Sequence, residues 1–221
     1  MEREITALRF QKRNKDRVNV YLDGEFAFGL AAIEAAHLRT GQKLGPADIE
    51  HLKALDEVEK AYERALNFLS YRPRSKAEIQ RNLRKKGLDD EVIQTVIDRL
   101  ERAGLLNDPD FARYWVENRV RFKPRGLRAL RHELRQKGVS TTVIDQVLQD
   151  VEEESLARKA AEAGARRFTH LPPREFRRKM QGYLSRRGFS YPVIAPLLDA
   201  LEERICGEDQ LETISEENNN E

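Results

Sequence analysis

A chain of 221 residues with 35% charged and 7% aromatic side chains can bury only modest cores, so a string of small units is expected rather than one large one. No apolar run approaches the roughly 18 residues needed to span a bilayer, MEREITALRF lacks the charged-then-apolar order of a secretory signal, and the single Cys206 cannot close an internal disulfide. The expectation is a soluble, cytoplasmic protein with no membrane partner, whose net charge of +2 conceals −1 over residues 1–64, +10 over 65–201 and −7 over 202–221.

Residues 5 to 30 alternate in the manner of strands: Ile5, Ala7 and Phe10, then Val18, Val20 and Leu22, then Phe26, Phe28 and Leu30. Asp23-Gly24 marks a tight hairpin because both residues accept positive φ, and Asn14-Lys15-Asp16 marks the earlier turn. A short helix near Ala31 to Leu38 and a loop from Gly41 to Pro46 complete an N-terminal β-rich module over residues 1–47. Its function is not legible in its residues.

From about Asp48 the pattern is helical throughout. Aligned on Gly87, Gly138 and Gly188, the segments SKAEIQRNLRKKGLDDEVIQTVIDRLE, GLRALRHELRQKGVSTTVIDQVLQDVE and FRRKMQGYLSRRGFSYPVIAPLLDALE superimpose without a gap. Eight positions are apolar in all three, among them Ile79/Leu130/Met180, Leu83/Leu134/Leu184, Ile93/Ile144/Ile194 and Ile97/Leu148/Leu198. Each copy reads as three helices, with boundaries at 48–107, 108–153 and 154–205.

Pro73, Pro124 and Pro172-Pro173 break the chain after the first helix of each copy. Ser75 with Glu78 reads as a capping box, Asp108 as a cap ahead of Pro109, Asp89 or Asp90, Ser140 and Ser190 as later caps, and the three aligned glycines as left-handed helix stops. Pro196 falls inside the last helix and should kink it or mark a later start. Residues 206–221 are acidic and polar enough to be disordered. The fold class is mainly α, a tandem array of three three-helix repeats behind a small β-meander and helix. Such arrays offer a long surface to a macromolecule rather than a closed catalytic pocket.

Catalytic chemistry finds little support. There is no GxxxxGK[ST] or GxGxxG loop and no CxxC or HExxH spacing, and His37, His51, His132 and His170 are scattered. No enzyme, metal or cofactor is expected. Cations instead gather around the breaker and second helix of each copy: Arg72, Arg74, Lys85 and Lys86; Arg119, Lys123, Arg125, Arg128, Arg131 and Arg135; Arg186 and Arg187. Helical spacing puts Arg128, Arg131 and Arg135 on one face with Leu130 and Leu134 on another. Guanidinium forks suit phosphates and carboxylates equally, so the cluster fits nucleic acid, an acidic protein or a merely solvated surface. Tyr71, Tyr114, Trp115, Phe122, Phe168, Tyr183 and Tyr191 interleave with the cations, as base-stacking or core side chains; Phe111 and Trp115, four apart, should bury together.

The stretches LSYRPRSKAEIQRNLRKKG (69–87), GLLNDPDFARYWVENR (104–119) and RGLRALRHELRQKGV (125–139) resemble the RecX family of bacterial RecA regulators. The likeness rests on Arg72-Pro73-Arg74-Ser75 with Glu78, Phe111-Ala112, Arg119, and Glu133-Leu134 with Lys137-Gly138, and covers about residues 62 to 203. Asn107-Asp108 and Gly126-Leu127 depart from the family's paired acids and Gly-Pro. The resemblance implies an elongated, curved stack lying in the groove of a RecA filament on single-stranded DNA. It implies suppression of ATPase, co-protease and strand-exchange activity in recombinational repair and the SOS response. RecA and single-stranded DNA are then the partners, the chain acts as a monomer, and the twelve cations named above contact one or the other. The alternative is a stand-alone DNA-binding protein, since two helices joined by a Gly-containing turn also describe a helix-turn-helix.

Overall fold

The computed structural model describes residues 1–203; Cys206 and the acidic stretch 206–221 lie outside the described residues. Contacts divide the chain into two units, residues 1–74 with 78–106, and residues 75–77 with 107 onward.

The first unit opens with strands β1 (Arg3–Phe10), β2 (Arg17–Leu22) and β3 (Glu25–Ala31), helix α1 (Ala32–Ala35) and strand β4 (Lys43–Leu44). The sheet runs β3-β2-β1-β4 with every neighbouring pair antiparallel. Asp23 (φ 52°) and Gly24 (φ 87°) form the expected hairpin, both central residues being left-handed as the twist of paired strands favours. Two features differ from expectation. α1 stops at Ala35 rather than reaching Leu38, and β4 replaces part of the anticipated loop. The chain turns back at Gly41, whose N–H donates to the Ile5 carbonyl, and Ile5 N–H donates to Gln42. A two-residue strand is too short to show alternation in sequence.

Helix α2 (Pro46–Ser70) begins two residues before the expected Asp48. Gly45 is its N-cap, Pro46 takes the first helical position, and the Asp48 carboxylate accepts from Gly45 N–H at 2.8 Å. Ile49 and Leu52 pack beneath the sheet with Ile5, Val20, Leu22 and Leu30, while Ala61 and Ala65 face α3 (Lys76–Arg84) and α4 (Asp90–Arg102). One helix therefore serves two cores. A buried ion pair joins them: Arg17 Nη2 lies 2.5 Å from Asp56 Oδ1, with 8% and 4% of the residues exposed, and Lys60 reaches the other Asp56 oxygen at 2.7 Å.

The second unit holds α5 (Asp108–Phe122), α6 (Leu127–Gln136), α7 (Thr141–Leu148), α8 (Glu153–Ala165), α9 (Pro173–Arg186) and α10 (191–203). Each copy thus has three helices, and Ile79/Leu130/Met180, Leu83/Leu134/Leu184, Ile93/Ile144/Ile194 and Ile97/Leu148/Leu198 are buried in all three. The second and third copies share one continuous core from Phe111 to Leu198, while the first has its own around Ile79, Ile93 and Leu100. Asn107, not Asp108, caps α5 by accepting from Asp110 N–H. Asp108 Oδ1 instead accepts from Lys76 N–H at 2.8 Å. The helix 191–203 continues through Pro196, which sits on its exposed side.

Gly87, Gly138 and Gly188 have φ of 78°, 82° and 89°, as a left-handed helix stop demands. Two of them also admit a neighbouring alanine. A Cβ on Gly138 would stand 2.3 Å from the Ala77 Cβ, beside the hydrogen bond from the Ser75 hydroxyl to the Lys137 carbonyl. A Cβ on Gly188 would stand 2.5 Å from the Ala129 Cβ. One on Gly126 would stand 2.3 Å from the Gly188 oxygen, where Gly126 N–H donates to the Arg187 carbonyl at 2.9 Å. The first turn of one helix is thus laid directly on the turn of the next repeat. Gly87 has open space in place of such a neighbour.

Gly126→Ala and Gly188→Ala should each lose about 2–4 kcal/mol in denaturant unfolding, because the new methyl meets backbone that cannot step aside. Gly87→Ala should lose only about 1–2 kcal/mol, the left-handed penalty alone. Asp56→Ala, which strands a buried guanidinium, should cost about 3–5 kcal/mol by the same measurement.

Candidate functional site

The amphipathic spacing of α6 turns Leu130 and Leu134 into the core and leaves Arg128 and Arg135 exposed and Arg131 half-buried beside them. α9 buries Phe176, Met180, Tyr183 and Leu184 and presents Arg186 at its last turn. Because the Gly188 turn closes on Ala129, Arg186 is brought to the α6 arginines. Arg128, Arg131, Arg135 and Arg186 line one concavity of about 410 Å³ with Ala129, His132, Ser185 and Gly188. Arg131 is tied to Asp145 at 2.7 Å. Among the described residues, no acidic side chain pairs with Arg128, Arg135 or Arg186.

Arg135 and Arg186 sit in the last turns of α6 and α9, where carbonyl dipoles offset part of their mutual repulsion. Arg187 lies flat on Tyr183, its Cζ 3.7 Å from the ring centre. Burial is the chief cause drawing its pKa below the ordinary guanidinium value; nearby Arg125, Arg167 and Arg186 push the same way and Tyr183 opposes them. It stays charged at neutral pH. The concavity is a patch of fixed positive charge on rigid helices, suited to phosphate or carboxylate.

Other expected residues work inward. Glu133 Oε2 accepts from Trp115 Nε1 at 2.8 Å and from Arg119 Nε at 2.7 Å, and Arg125 approaches its other oxygen at 3.9 Å. Arg119 and Lys137 lie over the Trp115 ring at 4.6 and 4.8 Å. Trp115 therefore packs against the core beside Phe111, as expected, but with its indole edge anchored on a carboxylate. The Trp115–Arg119 spacing of four is visible in sequence. Glu133 belongs to another helix, and only the α5–α6 packing shows what it holds.

In the first unit, Arg72 reaches Glu78 at 2.8 Å, and Arg74 stacks on Phe68 at 3.8 Å. Burial first, and Arg72 second, hold the Arg74 pKa below the usual value, against the pull of Glu78. Lys85 and Lys86 are exposed at the end of α3, and Lys123 is exposed in the α5–α6 loop. A separate, more apolar groove of about 540 Å³, lined by Val116, Val120, Val147 and Leu156 among others, contains none of the twelve expected residues. Among the described residues no helix is long and apolar enough to cross a membrane.

Four family models cover most of the chain: the regulatory protein RecX N-terminal domain over residues 3–44, and the first, second and third RecX three-helix domains over 61–100, 107–148 and 152–198. The chain belongs to the RecX family. The regulatory protein RecX of Bacillus subtilis (strain 168) is 36% identical over 203 residues, spanning 90% of this chain and 77% of that one. Its counterpart in Lactobacillus johnsonii is 31% identical over 96% and 80%. A crystal structure of regulatory protein RecX superimposes with a TM-score of 0.73 at 30% identity, covering 89% of this chain and 99% of that one. RecX from Lactobacillus salivarius gives 0.59 at 27% identity, covering 66% and 97%. The three tandem three-helix repeats and the small N-terminal strand module are thus the architecture of a family of regulatory proteins.

Replacing Glu133 with Gln removes the charge that Arg119 and Trp115 share. We expect a loss of about 1–3 kcal/mol in unfolding, and a changed emission of the chain's only tryptophan, since both the anchor of its N–H and the stacked cation are disturbed.

Proposed function

We propose that this protein regulates the RecA recombinase by binding RecA filaments on single-stranded DNA and suppressing ATP hydrolysis and strand exchange during DNA repair and the SOS response. The observation that supports this most is the concavity shared by Arg128, Arg131, Arg135 and Arg186, a positive surface on a repeating scaffold in a chain of the RecX family. A filament is itself a repeating object, and an array of like units can meet like sites along it. In this reading the chain is a cytoplasmic monomer without catalysis of its own, divided at 47/48, 107/108, 153/154 and 205/206. Within the second unit Lys123 adds charge, and Arg119, Arg125 and Arg187 position the surfaces around the concavity as well as adding charge. In the first unit Arg72, Arg74, Lys85 and Lys86 offer cations of their own to the same partner.

The test is to add the purified protein to RecA assembled on single-stranded DNA and follow ATP hydrolysis. Inhibition well below one protein per RecA subunit is expected. Arg128→Glu with Arg186→Glu should weaken it about tenfold or more, because reversal turns attraction into repulsion across a matched interface. No inhibition by the unaltered chain rejects the proposal. Tight duplex binding with a steep salt slope and no effect on RecA would favour a stand-alone DNA-binding protein instead.

A further inference from the structure

The loop after the first helix has the same construction in two repeats. Tyr71-Arg72-Pro73-Arg74 follows α2 and Phe122-Lys123-Pro124-Arg125 closes α5; they are 51 residues apart, the interval that separates Gly87 from Gly138. In both, an aromatic residue stands at the helix end, a cation follows, a proline forces the chain to leave the helix, and an arginine comes next. The third repeat keeps only Pro173-Arg174, preceded by Leu171-Pro172.

Tyr71 and Phe122 are 76% and 64% exposed, the two most exposed aromatic side chains among the described residues. Neither belongs to a core, although Phe111, Trp115, Phe168 and Tyr183 all do. A single exposed ring carries no message, because apolar side chains scattered on a surface are ordinary. Two rings at one repeat position, with the same charged neighbours, are a different observation. Folding does not require them, since each could be polar without opening a cavity.

The surroundings define the ligand. Near Phe122, the Arg121 guanidinium lies 5.1 Å from the ring centre and exposed Lys123 follows. Near Tyr71, Arg72 is held by the Glu78 carboxylate, which offsets its charge, and by the Pro73 carbonyl, while Arg74 is held by the Phe68 ring and carbonyl, so Arg74 is the cation set in place ahead of any ligand. An open π-face beside fixed positive charge matches a flat ring joined to an anion. An unpaired nucleobase with its phosphate has that form, whereas bases inside a duplex have no free face.

We propose that Tyr71 and Phe122 are two base-stacking sites, each taking one unpaired nucleobase while the adjacent cations meet its phosphate. The inference rests on the single-stranded partner of the reading above and names the atoms that read it. Binding at these sites tolerates any base, because every base presents a π-face.

The full-length protein is titrated, without RecA, against an oligothymidylate, an abasic strand of equal length and a duplex. The unaltered chain should prefer the base-bearing strand to the abasic one. Tyr71→Leu and Phe122→Leu, which keep an apolar side chain but remove the ring, should each weaken oligothymidylate binding by about tenfold and leave abasic and duplex binding unchanged. The salt slope should not move, because no phosphate-facing charge is lost. Tyr71→Trp and Phe122→Tyr should retain the preference. Equal affinity of the unaltered chain for base-bearing and abasic strands, or equal weakening of both by the leucine variants, overturns the proposal. Leucine variants that bind strands normally but fail to inhibit RecA assign the rings to a protein contact, which overturns stacking and leaves the RecA reading intact. Ring-dependent strand binding without RecA inhibition supports stacking and removes that reading.

Discussion

A left-handed residue between the second and third helix of each repeat is the constraint on which the rest of the structure depends. Gly87, Gly138 and Gly188 stop a helix at φ near 80° and send the chain into the next helix within about three residues. At Gly138 and Gly188 the missing side chain does a second job. It lets Ala77 and Ala129 come within a distance no Cβ could tolerate, and the carbonyls of Lys137 and Arg187 receive hydrogen bonds from Ser75 and Gly126. Contact between backbones, rather than between long side chains, is stiff. A three-helix unit of this size buries too little by itself, and such joints let the second and third copies pool their apolar faces into one core.

The functional surface is a product of that stiffness. Arg186 comes to Arg128 and Arg135 only because the turn at Gly188 seats on the first turn of α6. Like charges would spread apart on flexible segments. Here two of them occupy helix ends whose dipoles offset the repulsion, and a third is bound to Asp145. Their field remains directed at solvent, where a polyanion can use it.

The arginines therefore divide by role in a way that residue type conceals. Arg119 neutralises Glu133 and covers Trp115, Arg17 neutralises Asp56 under the sheet, and Arg99 joins Glu59 while lying over Tyr62. These are structural cations, and substituting them changes the fold before it changes any interface. Arg128, Arg135, Arg186 and Lys123 stand outside that network. Aromatic residues divide similarly: Phe168 and Tyr183 meet edge to face at 6.1 Å in the core, whereas Tyr71 and Phe122 remain on the surface.

Sequence by itself determined the three strands, the Asp23-Gly24 hairpin, three helices per repeat and the buried apolar register, because period, proline and left-handed glycine act through neighbours a few residues apart. Local rules also placed Arg128, Arg131 and Arg135 on one face. Strand β4 escaped because two residues carry no period, and the cap of α5 went to Asn107 because Asp108 is engaged by Lys76, 32 residues before it. The meeting of Arg186 with α6, the anchoring of Trp115 on Glu133 and the burial of Arg17 on Asp56 were decided by tertiary structure alone. Each joins residues on different elements, and charge or hydrogen-bonding capacity names no partner until packing brings one within about 3 Å.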